Sequence, residues 1–371
     1  MVEKNKYYRM EQLSHLGLRS ELLIPSLLQE LHHEVSSISN SFCWQDEFGI
    51  ISNIYDESLH TSTVQKILIS ISSRKSDSYH CVNEWLNKQD KPVSSLDNFN
   101  QSSYLTSFYK KFLIPMGYAN SCFVPVKHKA TNERLGLLIL HRHKREPEFS
   151  PEERRQLTKI ASIIADGFSF NDFRDNHTTD GWIQGLFLID KDGYTQHACA
   201  TAEKLLALAT WKPSNPVSSE PLDNLAVFPG LHQLIQNLLS ASQNTTVNKN
   251  NPTLSITNAW GEFKLRGFLI KDKNGNRTPQ IGLNIRWQEP FLLKLFHRIS
   301  NLELTPRQET VALLYAAGDP HNVIADKLGL SLHTIKEHVR NISDKLNIQY
   351  RSDLIKLILC DCTADDGPLY T

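Results

Sequence analysis

In the stretch LSLHTIKEHVRNISDKL, residues 330–346, the side chains of His333, Lys336, Glu337, Arg340 and Asn341 are hydrogen-bonding groups suited to the edges of nucleic-acid bases. Lys and Arg donate to guanine O6 and N7, Glu accepts from cytosine N4, and Asn pairs with adenine through two bonds at once. One acid among the cations is what a sequence reader needs. The same residues would equally make the solvated side of an amphipathic helix, because Ile335, Val339, Ile342 and Leu346 recur four, three and four apart as one apolar stripe. From the pattern alone both readings stand open.

The elements before this stretch are strongly signalled. LTPRQETVALLYAAG offers Thr305 as N-cap, Pro306 next, Gln308 at the capping-box position and Val311, Leu314 and Tyr315 at helical spacing, closing at Gly318. This predicts one helix of about three turns. Asp319 is expected to cap a second helix with Pro320 at its first position, with Ile324, Ala325 and Leu328 facing inward and Gly329 ending it. Ser331 then caps the third. A short helix, a tight turn and a helix with a polar outer face make a helix-turn-helix, whose second helix enters the major groove.

Upstream, residues 20–38 carry Leu27, Leu31, Val35 and Ile38 at helical spacing, and residues 121–143 read as a hairpin joined through 127–134. Ser150, Pro151 and Glu153 open a helix with the stripe Leu157, Ile160, Ile164 and Phe168. Two further hairpins turn at Asp192-Gly193 and Asn274-Gly275 and flank a helical stretch from Ala202 to Leu208, while Ile281, Leu283, Ile285 and Trp287 alternate as on a sheet with one buried face. Polar or Pro-rich segments at 171–181, 212–224 and 240–252 read as a domain boundary, a loop inside the middle domain and a further loop. The fold class is α+β multidomain.

The chain has 371 residues, 40% of them hydrophobic, with 40 basic and 40 acidic side chains, which suits a soluble protein of two or three domains. Neutrality excludes a chain coated in polyanion, so any nucleic-acid contact is a local patch. The start, MVEKNKYYRMEQ, lacks the apolar core of a secretory signal, and no run of about 18 apolar residues is present, so the expected location is cytoplasmic, away from any membrane. The six cysteines, Cys43, Cys81, Cys122, Cys199, Cys360 and Cys362, are read as reduced thiols. No G-x-S-x-G, Walker loop or metalloprotease helix appears, and the order of elements does not fit a phosphoacceptor receiver, so no enzyme is expected. Trp44, Trp85, Tyr104, Tyr109 and Phe112 are either the lining of a ligand pocket or ordinary core. His128, His141 and His143 could collect a metal, Cys81 beside His80 could ligate haem or attach a chromophore, and the Cys360/Cys362 pair could serve redox chemistry or a metal, but spacing supplies no third or fourth ligand, and no metal is expected.

Residues 304–359 resemble the LuxR-type helix-turn-helix domain of bacterial transcription regulators, matching in "LTPR", the glycine before the scaffold helix, "IA..L", "S..TIK.H...I..KL" and "R..L". The resemblance implies an all-α four-helix domain in which Lys336, Glu337 and Arg340 face bases. It also places Thr334, His338, Lys345 and Arg351 near the backbone, with His333 and Asn341 as accessory groups. Pro320 and Val323 stand where the family usually has Ser or Thr and Glu, so the family's capping box is absent. The resemblance further implies a homodimer meeting through its last helix, Ser352 to Leu359, on an inverted repeat of double-stranded DNA, with RNA polymerase as a further partner. Residues 1–173 resemble, more distantly, a GAF-like α/β sensor in "RLGLLILHR" and "FSPEERRQL"; residues 181–290 look like a PAS-like α/β domain in "GLFLIDKDGYTQHACATAEKLLAL". Such folds can hold a small ligand or serve only to dimerise. The expected layout is sensor 1–173, linker 174–180, PAS-like domain 181–290, DNA-binding domain 291–362 and tail 363–371. The expected function is a signal-sensing transcription regulator with an unknown small-molecule effector and no other cofactor. The tryptophan and tyrosine pattern of acyl-homoserine-lactone sensors is missing. The alternative is an adaptor that uses its helix-turn-helix for protein contacts.

Overall fold

The computed structural model describes residues 6–58, 84–85, 87–94, 110, 113–169, 178–210, 223–243 and 252–359. Described residues within 36–161 and 182–288 form one compact unit, and those within 1–35, 162–181 and 289–371 form another. Among the described residues no helix is long and apolar enough to cross a membrane.

The first of these units holds two antiparallel five-stranded sheets. In one, β1 (Ser39–Gln45), β2 (Ile51–Asp56), β3 (Val93–Ser94), β4 (Asn120–Lys127) and β5 (Arg134–Arg142) lie in the order β2-β1-β5-β4-β3. The hairpin expected at 121–143 is β4 and β5, paired from Asn120↔Arg142 to Lys127↔Arg134. The helix that follows, Pro151–Ser169, opens with the expected capping box: Glu153 N donates to Ser150 Oγ at 3.2 Å and Ser150 N to Glu153 Oε2 at 2.7 Å. Arg142 fastens the strand to that helix start, pairing with Glu153 at 2.5 Å and lying 4.0 Å over the Phe149 ring. Arg142 is buried while Glu153 keeps contact with solvent, so losing the Glu153 carboxylate would leave the guanidinium uncompensated.

The second sheet comprises β6 (Thr178–Ile189), β7 (Thr195–Ala198), β8 (Thr253–Asn258), β9 (Gly261–Lys271) and β10 (Arg277–Pro290), in the order β7-β6-β10-β9-β8. Ile281, Leu283 and Ile285 are fully buried on one face, as their alternation predicts. The expected helical stretch is Ala200–Ala209, and Gly185 lets it approach: a Cβ there would lie 2.4 Å from the Ala202 backbone. Sequence reasoning missed the helix Pro229–Gln243 and strand β8. The stripe Leu231, Leu234, Ile235 and Leu238 was present, but the helix carries no charge and opens on Pro-Gly, which reads as a turn. It also runs into the expected loop at 240–252, of which 244–251 lie outside the described residues. Trp260 joins the two sheets, its ring 5.9 Å from Trp44 and 5.5 Å from Tyr55.

The other unit is helical. With the helices numbered in chain order, α1 is Tyr8–Ser14, α2 Ser20–Leu31, α3 Pro151–Ser169, α4 Ala200–Ala209, α5 Pro229–Gln243, α6 Phe291–Ile299, α7 Pro306–Ala316, α8 His321–Leu328, α9 Leu332–Leu346 and α10 Arg351–Leu359. The helix expected over 20–38 stops at Leu31, and the Ile38 amide already donates to His141 O of the sheet at 2.8 Å. Val35, Ser36, Ser37 and Ile38 are poor helix formers, so nothing local resists the turn into β1.

Candidate nucleic-acid interface

Helices α7 to α10 build a small bundle around Val311, Leu314, Ile324, Ile335, Ile342, Leu354 and Ile358, all buried. The capping box at Thr305 is present in full: the Gln308 amide donates to Thr305 Oγ1 at 3.3 Å, and Thr305 N to Gln308 Oε1 at 3.1 Å. Helix α8 ends at Gly329 in the left-handed conformation, φ 61°, where a Cβ would be strained. Ser331 then caps α9, accepting from the Thr334 amide at 3.0 Å. Glycine and cap together turn the chain within two residues.

The start of α8 corrects the expectation. Pro320 is itself the N-cap residue, in extended backbone, and the helix begins at His321 with no side-chain cap. Asp319 is buried and turned inward, 3.2 Å from Lys327 Nζ near the end of the same helix. A partner eight residues on outcompetes the local cap because the buried carboxylate requires a charge.

On α9, Ile335 and Ile342 are buried while His333, Lys336, Glu337, Arg340, Asn341 and Asp344 are exposed. Lys336 makes no hydrogen bond or ion pair among the described residues. Two long, exposed pairs run along this face, His333 to Glu337 at 3.6 Å and Arg340 to Asp344 at 3.8 Å. Such pairs contribute little, so exchanging them for other partners costs little. Of the remaining sequence candidates, Thr334 Oγ1 lies 2.8 Å from the capping Ser331 Oγ, His338 is half-buried, and Lys345 Nζ donates to Glu303 O at 2.6 Å. Arg351 lies 4.6 Å over the Tyr315 ring and donates to Asp319 O at 3.2 Å, so its guanidinium is engaged within the domain.

In the first sheet, the register places Ser41, Ile139 and Phe123 side by side on one face, with Trp44 on the opposite face. Trp85 packs edge-on to Phe123 at 5.0 Å and Trp44 edge-on to Phe42 at 4.9 Å, so the structure does not bring these two candidates together. Tyr104, Tyr109 and Phe112 lie outside the described residues, as do His80, Cys81, Cys360 and Cys362.

Sequence reasoning missed a polar row on the Ser41 face. His141 is buried, with Nδ1 2.8 Å from Ser121 Oγ and Nε2 3.4 Å from Ser41 Oγ, and its ring stacks on Tyr118 at 4.1 Å. Ser41 donates in turn to Asp56, which also accepts from the Ser58 amide at 2.7 Å. Burial pushes the Asp56 carboxyl up to about 6 and His141 down to about 3, favouring the uncharged form of each. The alternation Ser39, Ser41, Cys43 was the available signal.

His128 lies just beyond β4 at the connection, whereas His141 pairs with Ser121 at the other end of the hairpin, roughly 20 Å away along the strand. Among the described residues no group of three or more His, Cys, Asp or Glu is placed to hold a metal ion.

Comparison with known proteins gives two family matches: residues 302–358 match bacterial regulatory proteins of the luxR family, and residues 21–166 match the GAF domain. No curated protein matches the chain. Similar solved structures are distant. They include a Vibrio cholerae VqmA–ligand–DNA complex, 14% identical over 48% of this chain and 82% of that one, with a TM-score of 0.21. The sensor region of a sensor histidine kinase is 16% identical over 44% and 62%, TM-score 0.20, and an Escherichia coli DhaR(N)–DhaL complex 10% identical over 78% and 90%, TM-score 0.25.

Proposed function

We propose that this chain is a ligand-sensing, sequence-specific transcription regulator whose GAF-like and PAS-like domains control a dimeric, LuxR-type DNA reader. The layout is that expected from the sequence, with sensor 1–173, PAS-like domain 181–290 and reader 291–362. The observation that carries this reading is the outer face of α9, which presents Lys336, Glu337 and Arg340 to solvent on the second helix of a capped helix-turn-helix.

Lys336 and Arg340 stand one turn apart, about 6 Å along the axis, roughly the rise of two base pairs. They address neighbouring guanines, and Glu337 between them rejects or selects by accepting from cytosine. His333, Thr334, His338, Asn341, Lys345 and Arg351 serve the backbone or support the readers. Helix α10, with Leu357 exposed, meets the second protomer. A ligand changes DNA binding only by favouring one arrangement of the two readers over another. The partners of this reading are double-stranded DNA, a second copy and RNA polymerase, in the cytoplasm; no catalytic step belongs to it.

Selection of bound fragments from random DNA by the full-length protein, at two salt concentrations, tests it. An inverted repeat should be enriched, and Lys336→Ala with Arg340→Ala should lose it without unfolding, since both side chains lie off the apolar stripe. Unchanged selection by the double variant would overturn the assignment. The mixed charge of the face, Glu337 and Asp344 beside Lys336 and Arg340, also suits an adaptor. That reading predicts partner binding without the steep salt dependence of phosphate neutralisation.

A further inference from the structure

The reader bundle does not complete its own polar contacts. Gln12 Nε2 on α1 donates to Thr310 Oγ1 on α7 at 3.0 Å, with both side chains buried, across 298 residues of sequence. Thr310 Oγ1 donates its own proton to Pro306 O at 2.9 Å, so toward Gln12 it is an acceptor and the bond has one direction. Lys327 Nζ on α8, already paired with Asp319, donates to His15 O just past α1 at 2.9 Å. Arg9 lies 3.7 Å over the Phe296 ring of α6, donates to Phe296 O at 3.2 Å and pairs with Glu30 of α2 at 3.3 Å.

Helix α1 is itself fixed from its other side. Ser14 Oγ lies 2.9 Å from Ile163 O of α3 and 3.0 Å from Met10 O of its own helix, its one proton shared between them, and Gly167 of α3 sits so close that a Cβ there would meet the Leu23 side chain at 2.6 Å and Ser14 at 3.3 Å. These contacts are directional, and those of Gln12 and Ser14 are buried. An apolar seam tolerates sliding, whereas a buried amide-to-hydroxyl bond and an ammonium on a carbonyl hold one register. None of them touches the outer face of α9, whose readers remain exposed.

We infer that α1 is a positioning element of the DNA reader. Gln12 and the His15 carbonyl, through Thr310 and Lys327, fix the orientation of the helix-turn-helix on α2 and the end of α3, and so fix where each protomer presents α9. This rests on the dimeric DNA reading. Its consequence is a narrower choice of half-site separation, since readers that meet through α10 and are also each held on α2 and α3 cannot turn about that contact, whereas loosely held ones fit several spacings.

Two measurements on the full-length protein test it. In the first, nitroxides are placed through p-acetylphenylalanine at Ser169 and Asp344, both exposed, with labelled chains diluted in unlabelled ones so that only the distance within a protomer is read. The wild type should give one narrow distance distribution, and Gln12→Met or Thr310→Val, each removing one side of the bond, should broaden it to the same extent as the two together. In the second, affinity is measured for selected inverted repeats with one or two base pairs inserted between half-sites. Wild-type affinity should fall about tenfold or more, and that of Gln12→Met less than about threefold. A broad distribution in the wild type, a narrow one in Gln12→Met, or a spacing profile that Gln12→Met leaves unchanged would each overturn the inference. Absence of binding to any DNA would instead remove the DNA reading, while the distance distributions still decide whether α1 holds the bundle.

Discussion

The two sheets correspond strand for strand, β2-β1-β5-β4-β3 and β7-β6-β10-β9-β8, but they fill their interiors with different chemistry. The second buries Phe263, Leu265, Ile281, Leu283 and Ile285, an apolar set that gains from leaving water. The first buries Ser39, Ser41, Asp56, Ser121 and His141 beside its apolar residues. Each of those groups must find a partner or cost stability, and the row Ser121, His141, Ser41, Asp56 supplies the partners in sequence. One backbone path therefore supports both a filled apolar face and a linked polar one. What such a sheet can do chemically lies in its side chains, not in the order of its strands.

The largest effect is expected on the apolar side. Leu283→Ala should cost about 3 kcal/mol in urea denaturation, because a fully buried side chain leaves a cavity. It should shift stability equally at every pH. A loss below about 1 kcal/mol would mean that this face collapses freely and is not the packed core described.

The polar side should instead answer to pH. His141 has its pKa lowered to about 3, so its contribution is present above its unfolded value and is lost as pH falls. Asp56, raised to about 6, contributes below its unfolded value and loses that contribution as pH rises. Between about pH 4 and 6 the two slopes oppose each other, each roughly 1.4 kcal/mol per unit. Asp56→Asn leaves the His141 slope without its opposing one, so over that range this variant should lose more stability on acidification than the wild type does. Parallel profiles of wild type and variant would break the contrast between the sheets.

The smallest effect tests single links. Ser121→Ala removes the hydroxyl at His141 Nδ1 and should cost about 1 kcal/mol. A gain in stability would show that the row is dispensable filling.

The parts legible in the sequence were those governed by local chemistry. Thr305 with Gln308 and Ser150 with Glu153 are capping boxes three residues wide, and the hairpins turn at Gly193 and Gly275, both at positive φ. The outer face of α9 followed from one stripe. What escaped depended on partners distant in sequence or on what covers a face. All seven residues of β1 are buried, so both faces of that strand are covered, which nothing within SNSFCWQ announces. Asp319 stands where a helix cap belongs, but its partner Lys327 lies eight residues on. The contacts of α1 with α7 and α8 had no local signal, since those partners lie about 300 residues on.

The Gln12–Thr310 bond also sets a schedule for synthesis. At ordinary ribosomal rates, the 298 residues between its partners take about 15–60 s to translate. For most of that interval α1 is outside the ribosome without the helix that completes it, and the bundle it holds does not yet exist. Docking of the C-terminal bundle is therefore a late step of assembly, open only to chains translated through α7 and α8, and a chain stopped before them leaves the Gln12 amide without Thr310 and the His15 carbonyl without Lys327.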